Sequence, residues 1–333
     1  MSTGPSVAAF VVGAAVALAT SWILVSRLER LGARFGLSEA LLGLVAALAA
    51  DAPEITAAVT ALSHHQRQVG AGVTIGSNVF NLAALLGLGA MVAGRIHLHR
   101  RVVILGGSVG VFIALVCLLA TTGTVTPLIA LVLVLAALAL YGVLLAAPAR
   151  VVRLFRVSET TSAWLRTAVA EEEAELEVAI HPTRGTPFDA IVAGVALVVV
   201  VASSVAMERG ATTLGRRFGV AEIVIGGLVL AAVTSLPNAV AAIYLARRGR
   251  GAAALSTALN SNAINVAAGL LLPAAVVGLA RPTSSGLLVA GGYLGLTVVT
   301  VALAYVWRGL GRTSGSLLVG LYGIFVVVLV LVA

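Results

Sequence analysis

The feature that most constrains this chain is its succession of apolar runs, each about as long as a bilayer is thick. A helix needs about 20 apolar residues in a row to cross the hydrocarbon core. Such runs occur near 6–26, 37–62, 70–93, 102–121, 126–147, 188–207, 219–246, 251–279, 284–306 and 315–332. They predict an all-α polytopic membrane protein with ten transmembrane helices in the lipid bilayer. Composition agrees: 60% of residues are hydrophobic and 10% are charged, where a soluble domain has about 25% charged residues. So few charges exclude an ordinary soluble enzyme and a disordered chain. The basic residues are 21 arginines, with no lysine, and they form neither a long run nor a separate basic domain. That argues against a nucleic-acid partner. One cysteine, Cys117, leaves no disulfide framework and no Cys-ligated metal site.

The arginines also predict an orientation. With the N-terminus outside, sixteen of them fall in inner connections and five (Arg67, Arg209, Arg216, Arg217 and Arg281) fall on the outer side. The positive-inside rule favours that arrangement, which places both termini outside a plasma membrane. The longest connection, about 149–187, divides a first half (1–148) from a second (188–333). It carries Glu171, Glu172, Glu173, Glu175 and Glu177, and Ser158 is placed to cap a short helix through Trp164, Leu165, Val169 and Leu176. A run of this kind reads as a solvated helix face, a regulatory cation site being the alternative. The histidines fall in connections, where they read as polar loop residues.

The two halves share an internal repeat. Residues 31–43 match 214–226 at seven of thirteen positions, including Leu-Gly-x-Arg-Phe-Gly. One residue later in offset, Pro53 matches Pro237, Ser77-Asn78 matches Ser261-Asn262, and Asn81 matches Asn265. Each half holds five spans, and an odd number inverts the second half relative to the first. Two inverted five-helix repeats are a transporter architecture.

The matched residues are polar or helix-breaking. Pro53 and Pro237 lie mid-span and cannot donate to the carbonyls of Ala49 and Val233. In lipid a freed carbonyl must find another partner, and one facing a cavity becomes an oxygen ligand. Asp51 and Glu54 flank the first proline; Thr234, Ser235 and Asn238 flank the second. A charge at the bilayer centre costs at least about 2.5–3.5 kcal/mol on insertion scales. No arginine lies in the central part of any span to pair with these two acids, so a bound cation would supply the missing charge, two protonated acids hydrogen-bonded inside the bundle being the alternative. Ser77 and Asn81, like Ser261 and Asn265, share a helix face at i, i+4. They act either as interhelical glue or as part of an oxygen ligand set of the kind Ca²⁺ and Na⁺ prefer.

At these residues the sequence resembles the cation/calcium antiporter superfamily of sodium/calcium exchangers. Its paired motifs read Gly-Thr-Ser-x-Pro-Glu and Gly-Ser-Asn-x-x-Asn. Here they are Ala49-Ala50-Asp51-Ala52-Pro53-Glu54 with Gly76-Ser77-Asn78-Val79-Phe80-Asn81 (within 37–93), and Val233-Thr234-Ser235-Leu236-Pro237-Asn238 with Asn260-Ser261-Asn262-Ala263-Ile264-Asn265 (within 219–279). The resemblance implies a sodium/calcium exchanger-like fold in which spans 1 and 6 slide against the other eight. It implies Glu54 as the central cation ligand, with Ser77, Asn81, Thr234, Ser235, Ser261 and Asn265 in support. It also implies antiport of Ca²⁺ or another cation against Na⁺ or H⁺, with inorganic cations as the cargo and no bound cofactor. The sequence departs from the pattern in one respect that matters for charge. Asn238 stands where the family has its second acid, and Asp51 stands where a serine is usual. The carboxylate count stays at two, but both lie in one repeat. A non-transporting scaffold or sensor, and an intramembrane enzyme, are the competing readings; the common nucleophile–base pairs are missing for the latter.

Overall fold

A computed structural model describes residues 3–35, 47–146, 159–177, 185–247 and 251–333 of the chain. It is almost wholly helical. Helix α1 (Thr3–Arg34) leads to α2 (Ala52–Ser63), and α3 (Arg67–Asn81) continues through π-helical turns at Leu82–Leu88 into Gly89–Ala93. After strand β1 (Arg95–His97) come α4 (Arg100–Thr121), α5 (Pro127–Ala146) and α6 (Glu159–Glu177). The second half has α7 (Pro187–Phe218), α8 (Glu222–Thr234, with π turns at Ile225–Leu230) and α9 (Leu236–Arg247). Then α10 (Gly251–Ile264) runs through π turns at Asn265–Leu271 into Leu272–Val277, and α11 (Ser284–Val306), β2 (Gly309–Gly311) and α12 (Arg312–Val332) close the chain.

Among the described residues, eight helices are long and apolar enough to cross a membrane. The two expected spans missing from that set are those with a mid-span proline. Both are broken just before the turn that holds it: Asp51 sits at φ −80°, ψ −5° and Ser235 at φ −83°, ψ −3°. Asp51 and Ser235 are repeat partners, separated by the same offset that relates Pro53 to Pro237. Glu39 and Gly43, which belong to the repeat, lie outside the described residues, as do Ser158 and His181.

Most of the expected spans coincide with helices to within about a turn, but spans 1 and 6 are longer than their apolar runs. Helices α1 and α7 each run 32 residues, about 48 Å at 1.5 Å per residue. Hydropathy registers only the apolar part of each. Leu28 and Leu31, in the added turns of α1, pack against the buried cluster of Leu24, Ala49, Ala193 and Ala196, and Arg216 and Arg217 suit the negative end of the α7 dipole. The two helices lie against each other along their length. A methyl group on Gly13 would come within 2.7 Å of the Ser203 carbonyl oxygen, and one on Gly210 within 2.7 Å of that of Ser6. Only glycine permits this approach.

The all-α expectation needs one correction. Strands β1 and β2 pair antiparallel, with Ile96 opposite Leu310. Strands this short carry too little alternation to be seen in a sequence, and the pairing joins segments from opposite halves of the chain. Helix α6 forms as expected. Its Trp164, Leu165, Ala168 and Val169 pack on Leu105, Tyr141 and Leu144. Arg27 meets Asp189 at 2.7 Å, β1 meets β2, and Arg67 reaches the Leu279 carbonyl; each contact joins segments assigned to the same side. Asp189 also closes a capping box at the start of α7 through Thr186.

Candidate cation site

The broken spans meet α3 and α10 at the centre of the helix bundle. None of Asp51, Glu54, Ser77, Asn81, Thr234, Ser235, Asn238, Ser261 and Asn265 exposes more than 2% of its surface. The cluster is therefore sealed from both faces in this conformation. Burial on this scale requires partners, and the partners come from the opposite repeat. Ser235 Oγ donates to Glu54 Oε1 at 2.5 Å, and Asn265 Nδ2 donates to Glu54 Oε2. Asn238 Nδ2 donates to Asp51 Oδ1 at 2.6 Å, and Ser261 Oγ donates to the same oxygen at 2.7 Å. Both acids of the cluster, from the first half, are thus held by neutral donors of the second. Asp51 and Asn238, the two departures that move charge relative to the family pattern, are in direct contact.

The helix breaks create this arrangement. With ψ at −5° for Asp51 and −3° for Ser235, the chain leaves the α path for one residue, which turns both side chains inward. The carbonyl of Ala49, freed by Pro53, accepts from Ser21 Oγ of α1 at 3.3 Å. That carbonyl therefore has a protein partner and is not held open for a cation. Thr234 bonds back to the Leu230 carbonyl at 2.9 Å, and Ser77 reaches the Ala231 carbonyl at 3.5 Å. These two hydroxyls border the cluster without bonding to either carboxylate.

Two matched residues outside the candidate ligand set organise the centre. Asn78 Nδ2 donates to the Asn262 carbonyl at 3.0 Å, and Asn262 Nδ2 returns a bond to the Asn78 carbonyl at 3.1 Å. Asn81 donates to Asn262 Oδ1 and Asn265 donates to Asn78 Oδ1. Exchanging each residue for its repeat partner maps every one of these bonds onto another. The Ser235–Glu54 and Asn238–Asp51 contacts are related in the same way. The signal was present: Ser-Asn is identical in both repeats at the offset that relates the two prolines. Gly76 lets α3 pack closely on α8, since a Cβ there would collide with the Gly227 backbone.

Three buried acceptor oxygens of the cluster receive no hydrogen bond: Asp51 Oδ2, Asn81 Oδ1 and Asn265 Oδ1. Together with the bonded carboxylate oxygens they form a set of hard oxygen ligands carrying two acids. Such a set suits Ca²⁺ or Na⁺. Among the described residues, no group of three or more His, Cys, Asp or Glu side chains could hold a metal ion, so softer transition metals have no site of that type.

A nearly all-helical, membrane-spanning bundle with an occluded oxygen cluster at its centre belongs to the class of multi-span membrane transporters. Residues 5–149 and 188–331 match the sodium/calcium exchanger protein family, and the chain belongs to that family, one of transporters rather than enzymes. It is 26% identical over 258 residues to the inner membrane protein YrbG of Escherichia coli (strain K12), covering 73% of this chain and 71% of that one. It is 34% identical over 127 residues to sodium/potassium/calcium exchanger 2 of Gallus gallus, a match covering 35% of this chain and 19% of that protein. Among solved structures it resembles the H⁺/Ca²⁺ exchanger CAX, with a TM-score of 0.69 at 13% identity over 98% of this chain and 86% of that one. It also resembles the sodium-calcium exchanger NCX_Mj, with a TM-score of 0.59 at 20% identity over 98% and 99%.

Proposed function

We propose that this protein is a secondary active antiporter that moves Ca²⁺, or another cation of similar size and charge, against Na⁺ or H⁺ by alternating access. The observation that carries the reading is the pair of buried carboxylates, Asp51 and Glu54, held by donors from the opposite repeat. The nine clustered residues are the proposed ligands and their close support, with Glu54 central. The relatives agree in kind: those named as exchangers are a sodium/potassium/calcium exchanger, a sodium-calcium exchanger and an H⁺/Ca²⁺ exchanger. The hydrogen bonds exchanged by the repeat offset support two inverted five-helix halves, 1–148 and 188–333, in a ten-helix bundle whose second and seventh spans are broken. Because the cluster is sealed, access requires a rearrangement, and the close α1–α7 pair is proposed to slide. The arginine bias selects the orientation with both termini outside a plasma membrane. The ions and the bilayer are the proposed partners, with no resident cofactor.

Purified protein in sealed proteoliposomes provides the test. Uptake of ⁴⁵Ca should follow an outward Na⁺ gradient, an outward H⁺ gradient, or both, and it should vanish in Glu54→Gln. Absence of uptake under either gradient, in vesicles holding folded protein, would overturn the proposal.

A further inference from the structure

A second polar feature lies away from the central cluster, where α4 begins and α11 ends. Here a cavity of about 430 Å³ is lined by His99, Arg100, Arg101, Trp164, Tyr305 and Arg308. Among the described residues, no carboxylate lines it. The segments 94–101 and 305–313, which carry the β1–β2 ribbon, contain five arginines and no acid.

Several observations indicate that these cations are arranged and not merely exposed. The Arg100 guanidinium is fixed by a bond from Nε to the Tyr305 carbonyl at 3.2 Å, and it lies 5.0 Å from the centre of the Tyr305 ring. Arg308 holds a backbone φ of 51°. A residue with a side chain adopts this left-handed conformation only when its surroundings impose it. They do so here through the ribbon, where the Leu98 amide donates to the Arg308 carbonyl at 3.3 Å. Glycine would serve the turn better, yet an arginine occupies it. Depth matters as well. Tyr305 lies one residue before the end of a membrane-crossing helix, and Arg100 is the first residue of another. Tyrosine and tryptophan settle at the level of lipid headgroups. Guanidinium forks match phosphate oxygens in pairs, and basic pockets between spans suit anionic headgroups.

We infer that this cavity binds a phosphate group at the membrane interface, supplied by the headgroup of an anionic phospholipid. The acyl chains would lie along the exposed apolar faces of the flanking helices, and the phosphate would sit between Arg100 and Arg308. The inference is independent of which ions the central site carries.

The test is thermal unfolding of the full chain in a neutral detergent, titrated with phosphatidylglycerol, phosphatidylcholine or inorganic phosphate. Phosphatidylglycerol should raise the unfolding temperature saturably, and phosphatidylcholine should not. Arg308→Gly removes one cation while relieving the positive φ, so the variant should fold at least as well as the parent. It should need about five-fold more phosphatidylglycerol for half the shift, the loss expected for one interfacial arginine. Arg209→Gln, on the opposite side of the bundle, should titrate like the parent. Saturation by inorganic phosphate alone, sensitive to Arg308→Gly, would keep the phosphate site and make a soluble anion its source. A shift of equal size and midpoint in the parent and Arg308→Gly, or no shift with either phosphate source, would overturn the inference.

Discussion

Exchanging the charges of Asp51 and Asn238 tests whether these two positions serve a single ion. The side chains are 2.6 Å apart and both are buried, with Ser261 Oγ 2.7 Å from Asp51 Oδ1 and 3.3 Å from Asn238 Nδ2. Asp51→Asn removes one of two carboxylates from the cluster. Breaking a buried charge pair costs about 3–5 kcal/mol. If the ion is Ca²⁺, the lower figure is a loss in affinity on the order of 100-fold. A monovalent ion feels half the Coulomb term and should lose only about ten-fold. Asn238→Asp alone brings a third acid within hydrogen-bonding distance of Asp51 and should also impair exchange. The double variant Asp51→Asn/Asn238→Asp returns the count to two and preserves an amide–carboxylate contact with its direction reversed. Ser261 is placed to donate to either position. The double variant should therefore recover at least ten-fold of the affinity lost by Asp51→Asn, a coupling of about 1.4 kcal/mol or more. The assay is the concentration dependence of ⁴⁵Ca uptake into proteoliposomes for the parent, both single variants and the double variant, with protein insertion checked for each. Additive losses with no recovery would refute the reasoning, because the charge at Asp51 would then serve something other than the ion.

Three further outcomes are expected. Glu54→Gln should reduce exchange by at least 100-fold while the protein inserts and unfolds at close to the parent temperature; parental exchange rates in proteoliposomes would move the site elsewhere. Cysteines placed at the exposed positions Thr124 and Thr167, in a Cys117→Ala background, should label oppositely with an impermeant thiol reagent on intact cells, Thr124 reacting and Thr167 protected; the reverse pattern would invert the orientation. Ser21→Ala should leave the Ala49 carbonyl without its donor, at a cost of about 1–3 kcal/mol for an unsatisfied buried group, seen as a lower unfolding temperature in detergent. An unchanged temperature would show that the freed carbonyl has another partner.

What the sequence determined by itself was what lipid demands of a chain. Apolar length set the spans, arginine placement set the expected sidedness, and the matched Pro53/Pro237 and Ser-Asn positions marked the residues that lipid would not tolerate without a reason. These are local or translational patterns, and each can be read along one strand of text. Contacts across the two repeats are of another kind. That Asp51 turns toward Asn238 and not toward lipid depends on a single residue's backbone, at ψ −5° in the helix break, together with the approach of α10 carrying Ser261. That Ser21 reaches the carbonyl freed by Pro53 depends on the course of α1 beside the broken span. The extra turns of α1 carry Leu28 and Leu31, which pack on the buried cluster of Leu24, Ala49, Ala193 and Ala196, a packing gain that hydropathy does not record. The β1–β2 ribbon, with the arginines around it, forms only once two distant connections are brought to the same end of the bundle. Only the tertiary structure decides such pairings, because a hydrogen bond depends on where two side chains finish in space, and side chains from opposite halves of the chain have no local pattern that fixes their separation.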